Sequence, residues 1–205
     1  MDARAVLIVL DRDGVLNRTI PNPAEPRPDS PLRVEEVALF PWVPATLRAL
    51  SDAGFGLAIA SNQPAAAKGK VSRASLEAVH QAVLVEAQRA GAVILSSHIC
   101  FHRAEDGCDC RKPRTGLLRE AFARNPGFTP AASWMVGDRA VDVQAGAAFG
   151  LRTALLPGEG AGLTDELRAL APSSIQPSFC GHDLRDFAEF LLGKTSLLST
   201  PLTRA

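Results

Sequence analysis

Apolar residues occur along the chain in short runs without polar interruption. Such runs are typical of strands that are buried on both faces of a parallel sheet. The first run, VLIVL at positions 6–10, is followed directly by two aspartates and a glycine. Similar runs later in the chain predict further strands, each separated from the next by a stretch richer in polar residues. The predicted strands cover residues 6–10, 56–60, 93–100, 133–136, 152–156 and 174–179.

The stretches between these runs place apolar residues three and four positions apart, which predicts amphipathic helices. The longest covers 72–90, where Leu76, Val79 and Val83 share one face and Gly91 follows the end. Strands that alternate with helices predict an α/β fold of three layers around a mostly parallel sheet. We expect one domain over residues 1–192 without a separate cap domain, and a flexible tail at 193–205. The predicted helices cover residues 44–53, 72–90 and 115–124, a segment that ends at Gly150, and a segment that Asp183 caps.

Two carboxylates, Asp11 and Asp13, follow the first predicted strand, and Gly14 allows a sharp turn behind them. Open α/β sheets bind ligands at the carboxyl ends of their strands. Crowded carboxylates raise each other's pKa unless a cation lies between them, and Mg²⁺ prefers such oxygen ligands. One aspartate could then attack phosphorus while the other moves a proton. The alternative interpretation is a strand end with two solvated acids before a turn.

Polar side chains also follow the second and fourth predicted strands. A hydroxyl and two amides after the second strand could bind a phosphate, although such residues also form ordinary turns. A further aspartate after the fourth strand could complete the oxygen ligands of a magnesium ion. These residues are Ser61, Asn62 and Gln63 after the second strand, and Asp138, Arg139 and Asp142 after the fourth.

A cluster of cysteines predicts a second metal site. Three thiols and one imidazole lie within 11 residues, in a spacing that matches a closed tetrahedral zinc site. Because all four positions are filled by protein, we expect a structural Zn²⁺ that stabilises the loop 100–110 and leaves no open position for a reacting water. Two cations follow the loop directly and could bind a charged substrate. The predicted ligands are Cys100, His102, Cys108 and Cys110, and the cations are Arg111 and Lys112.

The segment 17–33 is rich in proline, with five prolines between positions 21 and 31. It therefore cannot form a helix or a central strand. It is either a flap on the substrate side or a disordered insertion, and we favour the flap. The formal net charge of the chain is zero, which argues against nucleic acid or a membrane as a partner. The sequence shows no signal peptide or membrane span, so we expect a cytoplasmic protein, and a monomer.

The motif DRDGVLN at positions 11–17 resembles the first motif of the haloacid dehalogenase (HAD) superfamily of phosphatases. Three further motifs resemble those of the same family: SNQ at 61–63, RKP at 111–113 and GDRAVD at 137–142. The resemblance runs from about residue 6 to about residue 156, which is most of the chain. Pro64 and Ala65 depart from the small residue and glycine that usually follow the second motif.

The resemblance implies a Rossmann-like sheet and Mg²⁺-dependent hydrolysis of a small phosphorylated substrate through an aspartyl-phosphate. Asp11 would be the nucleophile and a metal ligand, and Asp13 would be the general acid and base and would bind the metal through its backbone carbonyl. Asp138 would be the third metal ligand, and Asp142 would orient the site. The resemblance further assigns phosphoryl stabilisation to Ser61 and Lys112, and substrate binding to Asn62, Gln63, Arg111 and Arg139.

Within the HAD superfamily, this cysteine loop resembles the loop of two enzyme families. One removes the 7-phosphate of D-glycero-D-manno-heptose 1,7-bisphosphate in lipopolysaccharide precursor synthesis, and the other hydrolyses histidinol phosphate. VLN at 15–17, KG at 68–69 and GLL at 116–118 favour the heptose enzymes, whereas the five-residue gap in the cysteine loop and GDRAVD at 137–142 also suit the histidinol enzymes. The same residues are also compatible with a phosphotransferase that uses the same aspartyl-phosphate, and with a catalytically silent interaction protein.

Overall fold

The computed structural model describes residues 6–23, 28–158 and 162–193. A single sheet of six strands lies at its centre, and all neighbouring strands are parallel. The strand order is β3-β2-β1-β4-β5-β6. The predicted α/β fold with a parallel sheet is therefore confirmed. The strands are β1 (Leu7–Leu10), β2 (Gly56–Asn62), β3 (Ile94–Cys100), β4 (Trp134–Gly137), β5 (Arg152–Leu155) and β6 (Phe179–Cys180).

Six α-helices lie in the described ranges and cover the sheet. None of these helices is long and apolar enough to cross a membrane. Short 3-10 helices occur at Val34–Glu36, Pro130–Ala132 and Ala171–Ser173. The α-helices are α1 (Val43–Asp52), α2 (Arg73–Arg89), α3 (Gly116–Arg124), α4 (Ala140–Phe149), α5 (Leu163–Leu170) and α6 (Leu184–Leu192).

The residues of β1 show how the sheet separates two apolar layers. Side chains alternate between the faces of a strand, and all four side chains of β1 are fully buried. Ile8 and Leu10 pack in a core with residues of α1, α2 and α6, whereas Leu7 and Val9 pack with residues of α3 and α4. This double burial explains why the sequence of β1 carries no polar position, and it confirms the three-layer arrangement.

The strand order places a crevice at the C-terminal end of β1. The chain proceeds from β1 outward to β2 and β3, then crosses to β4 on the opposite side of β1. Ligands bind in open α/β sheets where the strand order reverses in this way. The backbone N–H of Asp11 donates to the carbonyl of Val136 on β4 at 2.8 Å, which fixes the two strand ends side by side. The predicted carboxylates are thus brought to one edge of the sheet.

The prediction of a strand over 174–179 was wrong for most of its length. Only Phe179 and Cys180 form β6, because the preceding segment contains a 3-10 helix and Ser174 has a φ of 56°. Helix α5 was not predicted, although Leu170 is fully buried against residues of α4 and β5. Gly193, with a φ of 66°, ends α6, and the rest of the predicted tail lies outside the described residues. The boundaries of the predicted single domain stay a prediction.

Candidate active site

Three carboxylates meet beyond the ends of β1 and β4. Asp11, Asp138 and Asp142 each offer an oxygen, and these oxygens lie within 4.8 Å of one another. Two glycines make room for them. Gly14 has a φ of +82°, and a Cβ there would collide with the carboxylate of Asp138, while a Cβ at Gly137 would collide with Asp142. We call Asp11, Asp138 and Asp142 the carboxylate cluster.

Lys112 supplies the positive charge within this cluster. Its Nζ lies 2.6 Å from Asp142 Oδ1 and 3.1 Å from Asp11 Oδ1, and it donates to the carbonyl of Ala60 at 2.7 Å. Burial would lower the pKa of Lys112, but the two carboxylates outweigh that effect and raise it. The lysine is 2% exposed, so its charge acts in a low dielectric and is hardly screened.

One ammonium does not balance three carboxylates. Burial, followed by the charges of Asp142 and Asp11, raises the pKa of Asp138 well above its usual range. Burial, opposed by Lys112 and reinforced by Asp11, raises the pKa of Asp142 to about 6. Among the described residues, no hydrogen-bond donor reaches the buried Oδ1 of Asp138. An orphaned carboxylate oxygen beside two further carboxylates fits a divalent cation with oxygen ligands.

Asp13 takes a different position from the carboxylate cluster. Its carboxylate accepts two hydrogen bonds of 3.0 Å from Arg12, one of 2.8 Å from Asn17, and one from Gln63. Burial raises the pKa of Asp13, but Arg12 and the other donors outweigh burial and hold that pKa below its usual value. The role of Arg12, which is fully buried, was missed by sequence reasoning. The available signal was an arginine between two aspartates at the end of a buried strand.

The polar residues at the end of β2 divide between the cavity and the interior. Ser61 and Asn62 line the cavity beside the carboxylate cluster. The amide of Asn62 also pairs with the backbone of Lys112, at 3.0 and 3.1 Å, and so holds that lysine in place. Gln63 is fully buried and donates to Asp13 and to Ser61. Gln63 does not line the cavity, and its predicted contact with substrate stays a prediction.

The cavity itself has a volume of about 100 Å³. Its floor contains Lys112 and the residues of the carboxylate cluster, and Arg139 lies in one wall. The substrate contact of Arg139 stays a prediction. The proline-rich segment, for which the sequence favoured a flap over a disordered insertion, also lines the cavity. The wall residues that were not predicted individually are Thr19, Pro28, Ser30 and Val141.

The four predicted zinc ligands also come together. The three cysteine sulfurs lie 3.0 to 3.7 Å apart, and His102 Nδ1 lies 3.2 Å from Cys110 Sγ and 3.6 Å from Cys100 Sγ. A tetrahedron with Zn–S bonds of about 2.3 Å has edges of roughly 3.7 Å, so the four atoms lie at or somewhat inside the separations of ligands around one Zn²⁺. Burial, followed by hydrogen bonds with Cys100 and Cys108, raises the pKa of the Cys110 thiol, and a bound Zn²⁺ would oppose this by favouring thiolates. We call this group the thiol cluster.

The loop around the thiol cluster is packed against the start of α3. Arg114 donates to the carbonyls of Gly107 and Cys108, and Gly116 N donates to Asp109 O at 3.0 Å. Arg111 donates to the carbonyl of His102 at 3.2 Å. It lines a neighbouring cleft of about 150 Å³ together with Arg103 and Arg114, rather than the cavity above the carboxylate cluster. Lys112 thus lines both the carboxylate-rich cavity and an adjoining cleft that is lined by arginines.

Comparison with known proteins agrees with this geometry. Residues 109–187 match a family model described as HAD-hydrolase-like. The D-glycero-beta-D-manno-heptose-1,7-bisphosphate 7-phosphatase of Pseudomonas aeruginosa is 34% identical over 186 residues, which cover 83% of this chain and 98% of the relative. The chain belongs to the HAD-like phosphatases. Such phosphatases are phosphoric monoester hydrolases, and they use Mg²⁺.

Two further relatives are named as phosphatases of a heptose bisphosphate. The structure of a D,D-heptose 1,7-bisphosphate phosphatase from Bordetella bronchiseptica, complexed with magnesium and phosphate, aligns with a TM-score of 0.76 and 29% identity over 93% of this chain and 99% of that one. A D-glycero-alpha-D-manno-heptose-1,7-bisphosphate 7-phosphatase from Mycobacterium tuberculosis is 29% identical over 140 residues, or 67% of this chain and 69% of the relative. The relatives therefore include enzymes named for either anomer.

Proposed function

We propose that this HAD-like phosphatase removes the 7-phosphate of D-glycero-D-manno-heptose 1,7-bisphosphate, in the synthesis of heptose precursors of lipopolysaccharide. The observation that carries the proposal is the 34% identity to an enzyme of that name over 98% of the enzyme's length. Because the relatives of higher identity are named for the β-anomer, the β-anomer is the first substrate to test. A monomeric state and a cytoplasmic location remain predictions.

The carboxylate cluster would hold Mg²⁺. Asp11 and Asp138 would supply carboxylate oxygens and Asp13 its backbone carbonyl, which leaves positions for phosphate oxygens. Bound Mg²⁺ would neutralise the carboxylates and stabilise the charge on the transferring phosphoryl group. Asp142 is fully buried and lies 2.6 Å from Lys112 Nζ. It therefore serves to orient that lysine toward Asp11 and the phosphoryl oxygens.

Asp11 and Asp13 divide the chemistry. The Asp11 carboxylate bonds to phosphorus while the bond from phosphorus to the sugar 7-oxygen breaks, and Asp13, which must enter this half in its protonated form, gives that oxygen its proton and becomes the carboxylate. In the second half, Asp13 takes a proton from water, and the water oxygen bonds to phosphorus as the aspartyl-phosphate breaks. Lys112 and the hydroxyl of Ser61 stabilise the phosphoryl charge in both halves. The hydrogen bonds from Arg12 and Gln63 orient the Asp13 carboxylate for its role as base.

The rest of the substrate would extend from the cavity toward the cleft beside Lys112. Arg139 and Asn62, which line the cavity, would bind sugar hydroxyls. Arg111, which lines the cleft, would bind the phosphate that is not hydrolysed, because arginine binds phosphate oxygens bidentately. Zn²⁺ in the thiol cluster would fix the loop that carries both Arg111 and Lys112.

The deciding measurement is phosphate release in the presence of Mg²⁺, compared as kcat/KM for three substrates: the two anomers of the heptose bisphosphate and histidinol phosphate. We expect the heptose bisphosphate to be preferred by roughly 100-fold or more, since binding its second phosphate provides several charge-assisted hydrogen bonds. A preference for histidinol phosphate would overturn the substrate and retain the mechanism. No activity, even on an aryl phosphate, would favour a catalytically silent interaction protein. An acceptor alcohol that suppresses free phosphate would indicate a phosphotransferase.

A further inference from the structure

The proline-rich segment contributes part of the lining of the active-site cavity. We use the name flap for its described residues, 17–23 and 28–33. Thr19, Pro28 and Ser30 of the flap line the same cavity as Asp11 and Lys112. The flap hydroxyls therefore lie where the part of a substrate beyond its phosphate must pass. A wall made of an irregular segment is useful only when something holds it at a fixed distance from the floor.

One residue of the flap, Asp29, joins its two sides. The backbones of Ile20 and Asp29 exchange two hydrogen bonds of 2.8 Å, in the pattern of a short antiparallel bridge. Asn22 Nδ2 donates to Asp29 Oδ2 at 2.8 Å. The position of Asp29 therefore fixes both Thr19, next to one side of the bridge, and Ser30, next to the other.

The charged partner of Asp29 comes from another part of the chain. Lys70 Nζ donates to both carboxylate oxygens of Asp29, at 2.9 and 2.8 Å, across 41 positions of sequence. Each side chain is only about a third exposed, at 34% and 35%. The pair is thus better shielded from solvent than most surface ion pairs, which contribute little. Both oxygens of the carboxylate are engaged, so the pair also fixes the orientation of Asp29.

Lys70 is held close to the end of β2. It lies at the end of a compact turn after β2, where Lys70 N donates to Ala65 O at 3.0 Å. Gly69, with a φ of +71°, allows the turn to close. The same strand end supplies Ser61 and Asn62 to the cavity. The ion pair therefore connects the flap to the element that carries the phosphate-binding hydroxyl.

We propose that the Asp29–Lys70 ion pair is a positioning contact that holds Thr19 and Ser30 over the cavity and so sets the KM for the phosphorylated substrate, with little effect on the transfer step. The inference rests on the proposed phosphatase function. Neither charged group lines the cavity. Asn17 of the flap donates to Asp13 at 2.8 Å, but it precedes the Ile20–Asp29 bridge that the ion pair holds. Loosening the flap should weaken substrate binding while the carboxylate cluster keeps its geometry.

The test uses two single variants, Lys70→Met and Asp29→Asn, and the charge exchange Asp29→Lys with Lys70→Asp. Each single variant should raise KM roughly fivefold and change kcat less than about twofold. The free energy that a partly shielded ion pair contributes corresponds to a factor of roughly five in affinity. The charge exchange should restore most of the KM. Lys68→Met, in the same turn and exposed, is the matched control and should leave both constants unchanged.

Amide hydrogen exchange gives a readout that does not depend on turnover. The amides of Ile20 and Asp29 should exchange faster in Lys70→Met than in the wild type or in Lys68→Met. Unchanged KM in both single variants, a loss confined to kcat, or unchanged exchange at these amides would overturn the proposal. A wild-type protein without phosphatase activity would count against the proposed function instead, and faster exchange in Lys70→Met alone would still support the flap contact.

Discussion

The carboxylate cluster and the thiol cluster are supported in different ways. Asp11 and Asp138 directly follow two adjacent central strands, and Asp142 lies in the first turn of α4. The thiol cluster begins at the last residue of β3, an edge strand, and its other three ligands lie in a loop. The sheet core therefore holds the carboxylates, whereas the loop residues depend on the ligands themselves for their arrangement.

The two clusters also differ in whether they can accept a substrate. The carboxylate cluster opens to a cavity, and one of its oxygens has no donor among the described residues. The thiol cluster has four ligand atoms at separations that fit one tetrahedral ion, so the protein can fill every position. An open site with oxygen ligands suits reaction at a phosphate, and a closed site suits the stabilisation of a loop.

Lys112 connects the two regions. It lies two residues after the last cysteine of the thiol cluster, yet its Nζ lies 3.1 Å from Asp11 and 2.6 Å from Asp142. The thiol cluster can therefore affect catalysis without touching the substrate, because it determines where the chain enters the site. The expected effects of substitutions therefore differ. Changes in the carboxylate cluster should abolish catalysis, whereas changes in the thiol cluster should lower stability and, as a consequence, catalysis.

The largest effect is expected for Asp11→Asn. The amide cannot attack phosphorus as a carboxylate does, so turnover should fall by at least roughly 10⁴-fold, while thermal unfolding shifts by no more than a few degrees. Phosphate release and circular dichroism measure the two properties. Asp52→Asn, at an exposed aspartate paired with Arg48, is the control and should keep full activity. Activity near that of the wild type in Asp11→Asn would contradict the assignment of the nucleophile.

The next effect is expected for Cys110→Ser. With three ligands left, zinc should be lost from the purified protein, and stability should fall by roughly 3 kcal/mol, or about 10 °C in Tm. Because Lys112 would lose its fixed approach, kcat/KM should also fall at least roughly tenfold. Cys180→Ser is the matched control, since Cys180 is exposed and lies outside the cluster. Zinc retained at one equivalent with unchanged Tm would contradict the structural role of the metal.

The sequence made the two clusters predictable for different reasons. Aspartates at the ends of apolar runs must meet at one edge of a parallel sheet. Closely spaced cysteines predict a metal site even when the fold is not known. The partners of Asp13 were harder to predict. Gln63 and Asp13 are 50 residues apart. Each lies just after a strand, β2 and β1 respectively, and only the structure shows that the amide of Gln63 points inward. Side-chain direction at a strand end changes with each residue.

The walls of the cavity were the least predictable part. Thr19, Ser30 and Val141 carry no chemical signal in the sequence, and their position depends on how the flap returns to the sheet. The ion pair between Asp29 and Lys70 that holds the flap spans 41 residues and involves two ordinary surface residue types. Helix α5 was missed because its eight residues are short for a periodic signal, and burial of Leu170 against its neighbours stabilises it instead.

The smallest expected effect is a dependence of stability on pH, and it involves two histidines in different surroundings. His102 is exposed among the zinc ligands, whereas His80 on α2 is buried, and neither of its ring nitrogens has a hydrogen-bond partner among the described residues. Burial, followed by the charge of Arg12 and against that of Asp13, lowers the pKa of His80 from 6.5 to about 4. The folded protein therefore resists protonation at His80, and the unfolded chain does not.

As the pH falls from 6.5 toward 4, the unfolded chain takes up a proton at this position first, so the free energy of unfolding decreases. Between pH 7 and pH 5 the wild type should lose roughly 2 kcal/mol that His80→Leu does not lose. Urea unfolding at both pH values measures the difference, with metals held constant so that protonation of the zinc ligands affects both proteins equally. His182→Gln, at an exposed histidine, should keep the wild-type dependence. If His80→Leu loses as much stability between the two pH values as the wild type, then acid destabilisation originates from groups other than His80. The zinc ligands of the thiol cluster would then be the next residues to test.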